Sequence, residues 1–227
     1  MRQVRLYIAG QKAFGAAVYD MVRKRGHEIV GVSSPAMNGR GEIPDRLRTA
    51  AERDDVRWLE AGRLNVDTMP DGVDLIVAAH SHDFIGRKTR NKTALGAIGY
   101  HPSLLPRHKG RDAIRWTIHM GDPVTGGSVY WLSENMDGGD IAAARHVFVE
   151  PGETPEDLWR HKLMPLGVEL IGAVLDDLSV GRIVRRPQDP AYATWEPSWD
   201  RPPAFRPDLD MIGALPMGYS AVREEIQ

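Results

Sequence analysis

Val4-Arg5-Leu6-Tyr7-Ile8-Ala9-Gly10, the span from Phe14 to Arg25, and Ile29-Val30-Gly31-Val32 are the stretch whose reading decides the fold. The first run is apolar and stops at a glycine, as a buried strand does. Phe14, Val18, Met21 and Val22 then recur at helical spacing until Gly26 breaks the pattern. Ile29 to Val32 reads as the next buried strand. Strand, helix and strand in direct succession open a Rossmann-like α/β fold, a doubly wound and mostly parallel sheet with helices on both faces.

Outward from this unit the pattern continues. Residues 33–43 are a loop rich in Pro, Gly, Asn and Ser, Pro44 to Arg53 is a polar helix candidate, and Asp74 to Ala79 is a strongly buried central strand. Ala97 to Tyr100 predicts the strand that delivers His101. Ligands bind beyond the carboxyl ends of strands in open α/β sheets, so Ala79 and Tyr100 are expected to end on one crevice. Asp112 to His119 reads as a short helix, Gly127 to Leu132 as a strand leading to Asp137, and Ala142 to Val149 as its neighbour. Thr154-Pro155-Glu156-Asp157 is a helix start, with Thr154 as cap, Pro155 in the first position and Asp157 placed for a capping box. That helix runs through Leu170, Val174 and Leu178 and ends before Gly181.

After Pro187 the composition turns to Pro, Trp, Asp and Arg. The expected organisation is a catalytic domain over 1–186 and a C-terminal extension over 187–227. Trp195 and Trp199 in the extension would cap the sheet, pair subunits in a homodimer or shape a substrate pocket.

The chain has 227 residues, 42% of them apolar, enough for one α/β core. Its 29 Lys+Arg against 31 Asp+Glu provide no broad basic field, which argues against a nucleic-acid partner. The absence of cysteine excludes thiolate nucleophiles, disulfides and Cys-ligated zinc. No run reaches the ~18 apolar residues of a membrane span, and the N-terminus lacks a secretion pattern, so a cytoplasmic location is expected.

Chemistry concentrates in two loops. In Gly99-Tyr100-His101-Pro102-Ser103-Leu104-Leu105-Pro106-Arg107-His108-Lys109-Gly110 the prolines stiffen the chain around the imidazole. In Met136-Asp137-Gly138-Gly139-Asp140 the glycines let one carboxylate turn into a cleft. An imidazole can hold or pass a proton near neutral pH, and a neighbouring carboxylate orients it. Taken singly, a loop histidine beside proline is more often structural, and an Asp before Gly-Gly is often a turn former.

Together, the His101-Pro102-Ser103-Leu104-Leu105-Pro106 run and the later Asp137-Gly138-Gly139 turn resemble the signature of the folate-dependent formyltransferase family. Ile8 to Gly15, Arg23 to Val32 and Tyr100 are most similar to the formyl-handling domain of 10-formyltetrahydrofolate dehydrogenase. The resemblance implies 10-formyltetrahydrofolate as cofactor and a small-molecule amine as formyl acceptor. Hydrolysis of the cofactor to formate and a noncatalytic folate-binding module are the alternatives. It implies His101 and Asp137 as catalytic residues. It places Ala79, His82, Phe84, Ile85, Met136, Gly138 and Asp140 at the folate, and Gly10, Gln11, Lys12, Tyr100 and Ser103 at the substrate. Read by themselves, Gly10, Gln11 and Lys12 are equally an anion cradle at a helix N-terminus or a simple turn. His80, His82 and Asp83 have the spacing of a divalent-metal cluster, but the resemblance needs no metal and assigns this segment to the pterin pocket. One departure stands out. Most relatives have Asn where this chain has Gly99, so either a backbone N–H, a water or Tyr100 holds the formyl oxygen, or the activity is altered. The tRNA-specific relatives carry a further domain for which the residues after Pro187 are too few.

Overall fold

The computed structural model describes residues 2–39, 43–81 and 83–199. Seven strands form one sheet in the order β3-β2-β1-β4-β5-β6-β7. They are β1 (Arg5–Gly10), β2 (Glu28–Ser34), β3 (Trp58–Glu60), β4 (Leu75–Ala79), β5 (Gly96–His101), β6 (Val124–Trp131) and β7 (Ile141–Phe148). Strands β1 to β5 pair in parallel, and β6 and β7 are antiparallel. The chain winds from β1 out to β3 and then crosses back to β4, so the sheet changes winding direction between β1 and β4. This is the Rossmann-like α/β class read from the opening strand-helix-strand unit, with an antiparallel edge.

Strand alternation divides the core in two. Leu6, Ile8, Leu75, Val77, Ile98 and Val129 meet helices α1 (Lys12–Lys24), α2 (Arg46–Arg53) and α6 (Met164–Ser179) in the larger cluster. Tyr7, Ala9, Ile76 and Ala97 point the other way, onto Leu64, Met69, Val73 and Ile85. That second face is closed by the chain between β3 and β4 rather than by a long helix.

Thr154 caps α5 (Pro155–Leu158), its Oγ1 accepting from Asp157 N at 3.1 Å. The helical path then widens into a π turn over Trp159–Leu163 before α6. Pro165 lacks the N–H that would bond the His161 carbonyl, which accounts for the change of pitch. Neither the π turn, nor β3, nor α3 (Arg87–Asn91) was expected from sequence. Each is too short for a periodicity of its own.

The compact unit continues past the composition break at Pro187 as far as Glu196, and Pro197 onward is a second unit. Gln188 donates to the carbonyls of Asp137 and Gly139, both at 2.7 Å, and Trp195 pairs with Lys109. Trp199 falls in the second unit. Among the described residues no helix is long and apolar enough to cross a membrane.

Candidate active site

Three loops that leave the carboxyl ends of parallel strands, and a fourth that follows the antiparallel β6, pass through left-handed residues that are not glycine. These are Lys12 after β1 (φ 56), His80 after β4 (φ 61), His108 after β5 (φ 54) and Asp137 after β6 (φ 49). Such conformations cost free energy for L-residues and persist where the surroundings enforce them.

His101 ends β5 and is buried. Its Nε2 lies 2.7 Å from the His108 carbonyl oxygen. A carbonyl only accepts, so Nε2 carries the proton and Nδ1 is the ring's remaining working nitrogen. Nδ1 faces Asp137 Oδ2 at 3.7 Å. The loop that makes this bond is held from within. Ser128 Oγ donates to Ser103 O at 2.8 Å and accepts from Leu105 N at 3.0 Å, while Ser103 Oγ donates to Arg107 O at 2.5 Å.

Asp137 is fixed through both carboxylate oxygens. Tyr130 Oη donates to Oδ1 at 2.7 Å and Gly110 N to Oδ2 at 2.8 Å, while Gln188 holds its carbonyl. Burial, and then the carboxylate beside it, push the Tyr130 phenol well above its ordinary range, so it stays a donor. Gly139 is needed for close approach, because a Cβ there would run into the Trp131 carbonyl. The nearby Lys109 ammonium is pulled down by burial and partly restored by the Asp137 charge.

The structure thus brings together the two residues expected to be catalytic. Several others expected at the substrate or folate make contacts within the protein. Tyr100 points to the opposite face, where its hydroxyl donates to Leu163 O at 2.7 Å and its ring packs on Phe14. It closes the π turn and cannot stand in for the amide missing at Gly99. Ser103 is fully buried and spends its hydroxyl inside the loop. The Lys12 N–H donates at 2.8 Å to Asp45, whose other oxygen accepts from Leu47 N. The anion at this turn is therefore an internal carboxylate. Gly10 is a packing glycine, its absent Cβ falling 2.5 Å from Ala79 O, and Ala79 itself is core. Gln11 is buried with its side-chain nitrogen unpartnered.

Ile85 is buried in the second core cluster, whereas Phe84 and Met136 are exposed beside it and beside Asp137. Gly138 N and Asp140 O bond the turn to Asn135 and Trp131. His82 lies outside the described residues. Asp83 is committed to Ser33 Oγ (2.6 Å) and Gly62 N (2.5 Å), and no metal-binding cluster occurs among the described residues.

Sequence reasoning assigned no site role to Gln188 or His108, and it missed a cavity of about 360 Å³. That cavity is bordered by Arg90, Asn91, Gly96, Ala97, Leu132 and Arg185. Leu132 joins it to the reaction centre, its Cδ2 lying 3.0 Å from where a Cβ on Gly99 would be. Alternation on β6 marks Tyr130 as facing away from Val129 and Trp131, but only pairing with β5 puts it opposite Gly99.

A tautomer-fixed imidazole facing one buried carboxylate on an α/β scaffold is an arrangement able to hold and pass a proton. The chain belongs to the formyl transferase family, whose model matches residues 2–171. It is 34% identical over 220 residues to the mitochondrial 10-formyltetrahydrofolate dehydrogenase of Mus musculus, covering 88% of this chain and 24% of that protein. The chain thus spans about a quarter of that relative's length. Glycinamide ribonucleotide transformylase 1 of Symbiobacterium toebii shares the fold with TM-score 0.65 and 23% identity, over 83% of this chain and 93% of that one. The N-formyltransferase of Helicobacter canadensis, solved with folinic acid and dTDP-3-aminofucose, matches with TM-score 0.72 and 15% identity, over 88% and 73% of the two chains.

Proposed function

We propose that this chain transfers the formyl group of 10-formyltetrahydrofolate to a small-molecule primary amine. The observation that carries the reading is the His101–Asp137 pair, in which Nε2 is engaged by the His108 carbonyl and Nδ1 alone is left to exchange a proton. The folate supplies the formyl carbon. His101 Nδ1 takes the proton that the amine loses as its nitrogen bonds that carbon, and returns it to the nitrogen that departs. Asp137, held by Tyr130 and Gly110, stabilises the imidazolium between the two events.

The cavity beside Leu132 suits a flat heteroaromatic group with several donors and acceptors. Its walls combine main chain at Gly96 and Ala97 with Asn91 and two arginines. Phe84 and Met136, exposed at its side of the sheet edge, offer apolar surface to the rest of the cofactor.

Hydrolysis is the second reading. It is favoured by the similarity to the dehydrogenase and by Gly99, which leaves no side-chain amide on the formyl oxygen. Mass spectrometry of 10-formyltetrahydrofolate incubated with enzyme, with and without a panel of amines, decides between them. Formylated amine with slow formate release alone supports transfer. Rapid formate release that no amine alters installs the hydrolase, and no turnover of the folate in either arm removes both.

A further inference from the structure

Besides Asp137, one buried ionic cluster stands behind the His101 loop. The His108 side chain, 1% exposed, lies between two carboxylates, with Nε2 2.7 Å from Asp122 Oδ2 and Nδ1 3.1 Å from Glu196 Oε1. The Glu196 side chain is itself only 6% exposed. Arg107 reaches Asp122 through two nitrogens, at 3.0 and 2.7 Å, so two cations and two anions balance. Nε2 is within hydrogen-bond reach of Asp122, the Nδ1–Glu196 contact is an ion-pair approach without hydrogen-bond geometry, and the two carboxylates together favour an imidazolium. Burial opposes that charge, and the Glu196 and Asp122 contacts outweigh it, with Arg107 acting weakly against.

The same segment is tied through its main chain. His108 N donates to Thr194 Oγ1 at 2.8 Å, Lys109 N to Thr194 O at 3.0 Å, and Thr194 N to Pro106 O at 3.2 Å. All this restraint falls on a left-handed residue, φ 54, whose carbonyl is the one that receives His101 Nε2–H. Released from its partners, the backbone at 108 would relax toward negative φ and carry that carbonyl away.

We propose that the His108 side chain, clamped between Asp122 and Glu196, is a positioning residue for His101: it holds its own carbonyl in the place that forces the Nε2–H tautomer and reserves Nδ1 for the reaction. The inference rests on His101 being the proton carrier of the proposed transfer. It makes the 194–196 segment, distant in sequence, a working part of the site.

The test is to follow the ring nitrogens of His101 by NMR in full-length, ¹⁵N-histidine-labelled protein. Wild type is compared with Glu196→Gln and His108→Gln, and the kinetics of 10-formyltetrahydrofolate turnover are measured in parallel. In wild type the neutral ring should be almost wholly Nε2–H. In both variants the Nδ1–H form should gain population, and kcat should fall by roughly tenfold or more while KM for the folate stays within about twofold, as expected for lost orientation rather than lost binding. If His108→Gln does not fold, Glu196→Gln decides. An unchanged tautomer and an unchanged kcat in folded Glu196→Gln overturn the proposal, even if its melting temperature drops. A tautomer shift in a protein whose wild type turns over no folate upholds the positioning role and sinks the formyl reading instead.

Discussion

The turn after β1 and the loop after β5 are built alike and end differently. Each leaves a parallel strand, each contains a left-handed residue that is not glycine, and each reads from sequence as a place for a ligand. At the first, the Lys12 N–H and the start of α2 share one buried carboxylate, Asp45, so the turn is closed by the protein itself. At the second, carboxylates from distant segments grip His108, and the loop is thereby held open to present His101 to Asp137. The same local strain closes a turn in one place and, in the proposed reaction, positions the proton carrier in the other. What differs is where the polar groups end, and that is a property of tertiary pairing.

The largest effect should come from breaking the second loop's pair. His101→Ala and Asp137→Ala should each lower turnover by about 10²–10⁴ while the circular dichroism spectrum stays native. Turnover close to wild type in either purified variant would remove the catalytic assignment. At the first loop the expected outcome is reversed. Asp45→Ala strips the caps from two helices and leaves buried N–H groups unpaired, for a loss of about 2–3 kcal/mol in urea unfolding. Turnover per folded molecule should change by no more than about threefold, and a collapse of turnover in folded protein would show that the β1 turn takes part in the site after all.

A third measurement uses pH. His108 is raised above its ordinary value of 6.5 in the folded chain. Its contribution to stability is therefore complete below 6.5 and is lost as pH climbs through the higher folded value. Unfolding free energy should decline across that window in wild type and be flatter in Glu196→Gln. Equal slopes for the two proteins would mean that the imidazolium is not the group responsible. Asp122, lowered chiefly by Arg107 and His108 against the penalty of burial, acts at the other end, its contribution disappearing as pH falls through its depressed value.

The smallest effect concerns Gly99. Its backbone lies outside the left-handed region, but a Cβ there would sit 3.0 Å from a Leu132 methyl and 3.4 Å from the Tyr130 ring. Gly99→Asn should fold at a cost of about 1 kcal/mol from crowding. A cost well above that in thermal unfolding would show that Leu132 and Tyr130 cannot yield.

The strands other than β3, the principal helices and the His101 and Asp137 loops were legible because each is a local pattern. Periodicity of two or 3.6, a proline, or a paired glycine acts within a few residues. Phe14 to Arg25 and Asp74 to Ala79 therefore fell within a residue or two of α1 and β4. Tyr100 misled because neighbours on a strand face opposite ways. Sequence proximity to His101 put it beside the site, whereas the pleat put it under α6.

By itself the sequence determined the α/β class and singled out the two side chains, His101 and Asp137, that the fold brings within 3.7 Å of each other. Only the tertiary structure decided which nitrogen of His101 is free, that Tyr130 and Gly110 hold Asp137, and that Glu196 reaches back to His108. The reason is physical. Local conformational preference is written in adjacent residues, but a buried charge is satisfied by whatever distant group the packed fold brings within hydrogen-bond range, and no short pattern in the chain encodes that meeting.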